Sequence, residues 1–102
     1  MQHTFLDKTL QVCHRIQHSR TLDTVFAHAQ TEMVELQEEI NKVLNGEPEG
    51  PDGVLGESID VMMCCVDIIY KHNPTITKEE IYAKLNEKLE KWVAVYSEQG
   101  KE

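Results

Sequence analysis

The chain has 102 residues, 40% hydrophobic and 27% charged, which is enough for one small domain over residues 1–102 and too apolar for a disordered chain. Eighteen Asp and Glu against ten Lys and Arg give a formal net charge of −8 at pH 7, which excludes the basic stripe that a nucleic-acid interface needs. Cys13, Cys64 and Cys65 form no CxxC pair and no zinc-like spacing, no leader-like segment is recognisable, and the longest apolar run, residues 61–70, is interrupted by Asp67, so the expectation is a cytoplasmic protein with no membrane partner.

Phe5, Thr9, Val12, Cys13 and Ile16 recur at helical spacing and predict an amphipathic helix over about residues 4–18, with Asp7 near its start. His14, Arg15, His18 and Arg20 follow as a basic patch, which suits a helix C-terminus and also offers a phosphate contact. A second helix is predicted from Thr21 or Asp23, either of which can cap, to the stop signal at Asn45 and Gly46. Leu22, Val25, Phe26, Ala29, Met33, Leu36, Ile40 and Leu44 make one apolar stripe along it, edged by His28, Glu32, Glu35 and Glu39.

Two prolines and two glycines within residues 47–53 rule out regular structure there and turn the chain back, so a third helix is expected antiparallel to the second. It runs over about residues 54–72 and is apolar around most of its circumference. So apolar a helix in so small a chain implies a partner subunit packed against it, as a homodimer or a dimer of dimers. Its only ionised groups before the C-terminal turn, Glu57, Asp60 and Asp67, share one edge. Asn73 and Pro74 end it, and Thr77 with Glu80 reads as the capping box of a fourth helix reaching about Ser97. Ile81, Leu85, Leu89, Trp92 and Tyr96 form its expected core stripe, Lys84, Lys88 and Lys91 lie beside that stripe, and residues 98–102 are expected to fray.

Glutamates on a helix ordinarily mean a solvated face. The pairs Glu32/Glu35 and Glu57/Asp60 ask for more, because each is spaced three apart, the loop allows the pairs to meet, and four like charges repel unless a cation sits among them. Oxygen-only ligands suit Mg²⁺ or Mn²⁺ rather than zinc or non-haem iron, and a di-iron bundle would need Glu-x-x-His motifs that are not present.

Glu32-x-x-Glu35, twenty-one residues, then Glu57-x-x-Asp60, with a Gly/Pro loop between and Lys84, Lys88, Lys91 and Trp92 after, resembles the signature of the MazG-like all-α nucleoside triphosphate pyrophosphohydrolases over residues 29–92. The resemblance implies an all-α, four-helix MazG-like bundle. It implies that Glu32, Glu35, Glu57 and Asp60 ligate Mg²⁺, and that a nucleoside triphosphate and water become a monophosphate and pyrophosphate. Glu35 or Glu39 would then orient or deprotonate the attacking water, while Lys84, Lys88, Lys91 and Arg15 would hold phosphate oxygens. The pattern departs from the family at Thr31, where a second glutamate often precedes the first motif. The other function class compatible with these residues is a non-catalytic helical module that binds a nucleotide, a metal or another protein.

Overall fold

Threonines open three of the four helices in the computed structural model, which describes residues 4–99. Thr4 and Asp7 close a capping box on α1 (Phe5–Arg15), Thr21 and Thr24 close one on α2 (Leu22–Leu44), and Thr77 and Glu80 exchange the same pair of bonds at the start of α4 (Lys78–Gln99). The remaining helix, α3 (Gly53–His72), begins with Gly53 at φ 65°, a left-handed value that favours glycine. Gly46, at φ 72°, releases the chain from α2 as its position after the Asn45 C-cap demands. The described residues form four helices and no strand, in agreement with the all-α reading. Among them no helix is long and apolar enough to cross a membrane. Of the expected frayed tail, residues 98 and 99 continue α4, and 100–102 lie outside the described residues.

α2 and α3 are an antiparallel hairpin. His28 meets Cys64, Arg20 just before α2 meets Asp67, and Glu39 near the end of α2 meets Gly50 just before α3, so numbers rise on one helix as they fall along the other. α1 packs on the C-terminal half of α3. Leu6 and Cys13 of α1 join Val66 and Tyr70 of α3 in the core, with Leu10 and Ile81 half-buried against it. The Tyr70 hydroxyl donates to Gln17 Oε1 at 3.1 Å and pairs with His14 Nδ1 at 3.0 Å, which ties the end of α1 to α3.

Three packing expectations need correction. The apolar stripe of α2 is divided: Val25 and Ala29 are buried, but Leu22, Phe26, Met33, Ile40 and Leu44 are exposed, since α3 covers only one flank of the stripe. The stripe of α4 is not a core stripe, because only Ile81 reaches the core and Leu85, Leu89, Trp92 and Tyr96 are exposed. The Lys78 ammonium sits 3.2 Å from Asp7 Oδ1 and fixes the first turn of α4 against α1, and beyond that turn the helix leaves the body. Leu55, Ile59, Met62 and Met63 of α3 are exposed, whereas its C-terminal half is largely covered within the chain, so uncovered apolar surface is shared among all four helices rather than concentrated on α3.

Candidate metal centre and adjoining cavity

The hairpin brings the two acidic pairs together. Carboxylate oxygens of Glu32, Glu35 and Glu57 lie within 4.8 Å of one another, and so do oxygens of Asp52, Glu57 and Asp60. Glu57 belongs to both groups and is the centre of a five-carboxylate cluster. Burial first, then the neighbouring charges of Glu35, Asp60, Asp52 and Glu32, push the Glu57 carboxyl above its usual range. Glu32 is raised in the same sense by burial, by its contact with Glu35 and by the charges of Glu35 and Asp60, while His28 opposes the rise. Glu32 Oε2 and Glu57 Oε2 are buried and have no hydrogen-bond partner among the described residues.

Asp52 is the member that periodicity could not reveal, since it lies in the loop and not on a helical face. It occupies the N-cap of α3 without making a side-chain cap bond. Glu49 serves there instead, with Val54 N–H donating to Glu49 Oε1 at 2.7 Å, so the Asp52 carboxylate is left to the cluster. The signal that could have found it is Gly56: a Cβ there would meet Asp52 Cβ at 2.7 Å, so the close approach of the loop needs a residue without a side chain.

Glu39 goes elsewhere. It is buried, accepts from Gly50 N–H at 2.7 Å and from Lys42 Nζ at 2.7 Å, and is held below the usual carboxylate range by those two bonds, Lys42 first. Its carboxylate pins the loop between α2 and α3 and is in neither acidic group. Asp67, expected on the same edge as Glu57 and Asp60, is buried and accepts from the Arg20 guanidinium.

Beside the cluster, between α1 and the hairpin, lies a cavity of about 520 Å³. The sequence-predicted face of α1, Phe5, Thr9, Val12, Cys13 and Ile16, lines it, and Ile59 and Met63 close the far wall. Apart from Cys13, which is buried in the core, that face meets a cavity and not packed side chains, which is why Phe5, Val12 and Ile16 remain exposed. Glu32 and Asp60 belong to the cavity wall and to the acidic cluster alike. The cations on the wall are Lys8 and Arg20. Lys84, Lys88, Lys91 and Arg15 do not line it; Lys84 and Lys91 approach Glu87 on their own helix at 3.0 and 3.8 Å.

His28 links the two regions. Its Nε2 lies 3.1 Å from Glu32 Oε1 and its Nδ1 3.8 Å from Cys64 Sγ, so one Glu32 oxygen is held and the other left open. Burial, with Glu32 and Asp67 nearby, raises the Cys64 thiol to about 11, which makes it an apolar wall and not a nucleophile. Comparison with known proteins finds no family model, curated protein or solved structure that matches this chain.

Proposed function

We propose that this chain is a Mg²⁺-dependent nucleotide pyrophosphohydrolase, MazG-like in its acidic signature, which converts an NTP or dNTP and water to the monophosphate and pyrophosphate in a cytoplasm. The observation that carries the reading is the pair of buried, unpartnered oxygens, Glu32 Oε2 and Glu57 Oε2, in a cluster that shares Glu32 and Asp60 with an apolar cavity. Buried carboxylate oxygens without partners are costly, and an oxygen-seeking dication is the simplest group that removes the cost.

The donor set fits Mg²⁺, with Mn²⁺ as its natural substitute, because every candidate ligand is a carboxylate: Glu32, Glu35 and Glu57 on one side, Asp52 and Asp60 on the other. When bound, Mg²⁺ would neutralise phosphate charge and lower the pKa of the attacking water. His28 orients Glu32 by holding Oε1. Glu35, the exposed member of its group, suits the orientation of a water and acceptance of its proton. Glu39 contributes through the loop it pins and does not act on the water. The cavity accepts the base and sugar, and Lys8 on its wall is the cation for a phosphate, since Arg20 is paired with Asp67. Lys84, Lys88, Lys91 and Arg15 do not line the cavity, and a homodimer or dimer of dimers would allow another copy of the chain to supply phosphate contacts from them. The exposed stripe of α4 favours a second reading, a helical interaction module without turnover.

Pyrophosphate release from a panel of NTPs and dNTPs, with and without Mg²⁺, decides between them. The expected outcome is Mg²⁺-dependent release of pyrophosphate that Glu57→Ala and Asp60→Ala abolish while helical circular dichroism is retained. No turnover on any nucleotide, together with no rise in melting temperature on adding Mg²⁺, would overturn the catalytic reading. Orthophosphate in place of pyrophosphate would move the cleaved bond.

A further inference from the structure

The Arg20–Asp67 ion pair stands in the wall of the cavity and outside the acidic cluster. Asp67 is only 7% exposed, and its Oδ1 has no hydrogen-bond partner among the described residues. A buried ion pair with an orphaned oxygen is a poor stabiliser, since apolar side chains of similar volume would hold the helices as well or better. The backbone beside it is also strained: Ser19, in the turn from α1 to α2 and directly before Arg20, is held at φ 61°. Buried charge and backbone strain at one place in a cavity wall point to a ligand rather than to packing.

The two partners differ in reach. The Arg20 side chain is 24% exposed, against 10% for Asp67, so Asp67 holds and Arg20 is presented. Asp67 Oδ2 accepts from one terminal nitrogen of the guanidinium and the Ile16 carbonyl from the other, at 3.4 Å, which fixes its plane. The rest of its five N–H groups have no partner among the described residues. Asp67 compensates the charge, so these donors suit a neutral carbonyl, while Lys8 remains for a phosphate. The surroundings are apolar: Ile16 flanks the pair, and the Cys13 thiol, pushed up to about 11 by burial and then by Asp67, is neutral. Asp67 follows Asp60 by seven residues on α3, about 10 Å along the helix. The pair is therefore at the end of the cavity away from the acidic cluster, where a base lies when its phosphates meet the cluster.

We propose that Arg20, positioned by Asp67, donates to an exocyclic carbonyl of the base, so that the site selects keto bases (uracil, thymine, hypoxanthine, guanine) over the amino bases cytosine and adenine. An amino group in the same place sets donor against donor and leaves both unpaired away from water, the situation in which a polar site discriminates most strongly. This selection presupposes the nucleotide reading of the cavity and adds the class of base to it.

Two pairs of substrates that differ in keto against amino test it: dUTP against dCTP, and ITP against ATP. With Mg²⁺, kcat/KM is expected to favour dUTP and ITP by roughly tenfold or more. Arg20→Met combined with Asp67→Leu removes both charges together, so helical circular dichroism is expected to be kept and both ratios to fall close to one. Turnover without preference in the parent overturns the selection and leaves the pyrophosphohydrolase reading standing; so does a preference for dCTP and ATP, or a folded double variant that retains the keto preference. If no nucleotide is turned over, the catalytic reading fails on its own, and nucleosides decide about the base. Chemical-shift titration of metal-free protein should then show uridine and inosine binding tighter than cytidine and adenosine by the same factor, and equal binding or none overturns the selection. The same titration decides if the double variant does not fold.

Discussion

Glu57 is crowded on every side: its carboxyl is raised by burial first and then by the charges of four neighbouring carboxylates, and one of its oxygens has no partner among the described residues. A carboxyl whose folded pKa lies above its unfolded value of 4.5 stabilises the fold below that value and loses the contribution as pH rises through the raised one. The same sign holds for Glu32. Metal-free protein is therefore expected to lose thermal stability as pH rises from 4.5 through the raised values of Glu57 and Glu32, and Mg²⁺ to restore it most above that window. Glu57→Gln removes one charge at nearly constant shape, so it should raise the metal-free melting temperature at pH 7 and abolish the response to Mg²⁺. Calorimetry in EDTA and in Mg²⁺ reads both effects; a Glu57→Gln protein that melts lower than the parent without metal would show that repulsion does not govern the cluster. Glu32, Glu35, Glu57 and Asp60 were legible because a spacing of three on a helix has one geometric meaning. Asp52 and Lys8 carry no such spacing, and they emerged only when the loop and α1 were seen against the hairpin.

The α2–α3 hairpin converts two sequence motifs into one cluster, and its register depends on the connection. Glu39 fixes that connection by accepting from Gly50 N–H and Lys42. Its depressed pKa gives a stabilisation present above 4.5 and lost as pH falls through the lower folded value, a window distinct from that of Glu57. Glu39→Gln keeps the shape and loses the charge-assisted bonds, so it should lower the melting temperature above pH 5 and weaken Mg²⁺ affinity about tenfold without removing a ligand. Titration calorimetry would separate it from Glu57→Gln, for which no Mg²⁺ binding is expected; equal loss in both variants would return Glu39 to the cluster. The starts of α2 and α4 were readable because Thr21 and Thr77 cap within three residues of their own position, and the end of α2 because the Gly/Pro loop follows it, whereas α1 ends at Arg15 and not near residue 18 as its periodicity suggested. Which flank of the α2 stripe would be covered was not readable, since Val25 and Phe26 are alike in hydropathy and only the position of α3 buries one and exposes the other.

Assembly through the uncovered apolar faces would have a thermodynamic signature of its own. If unfolding and dissociation are one event, the melting temperature rises with protein concentration, by about 2–4 °C for each tenfold increase in a dimer of this size. A midpoint independent of concentration from low micromolar to millimolar protein would mean that the chain unfolds as a monomer. At this scale the all-helical class, the four helices in order, the caps of α2 and α4 and the paired carboxylates were determined by the sequence alone, because they follow from short-range periodicity, capping and spacing. The tertiary structure alone decided that the face of α1 lines a cavity, that Glu39 belongs to a loop and Asp52 to the cluster, and that α4 projects with its stripe uncovered. Those outcomes depend on where one helix lies relative to another, and hydropathy along a helix records that a face is apolar without recording what covers it.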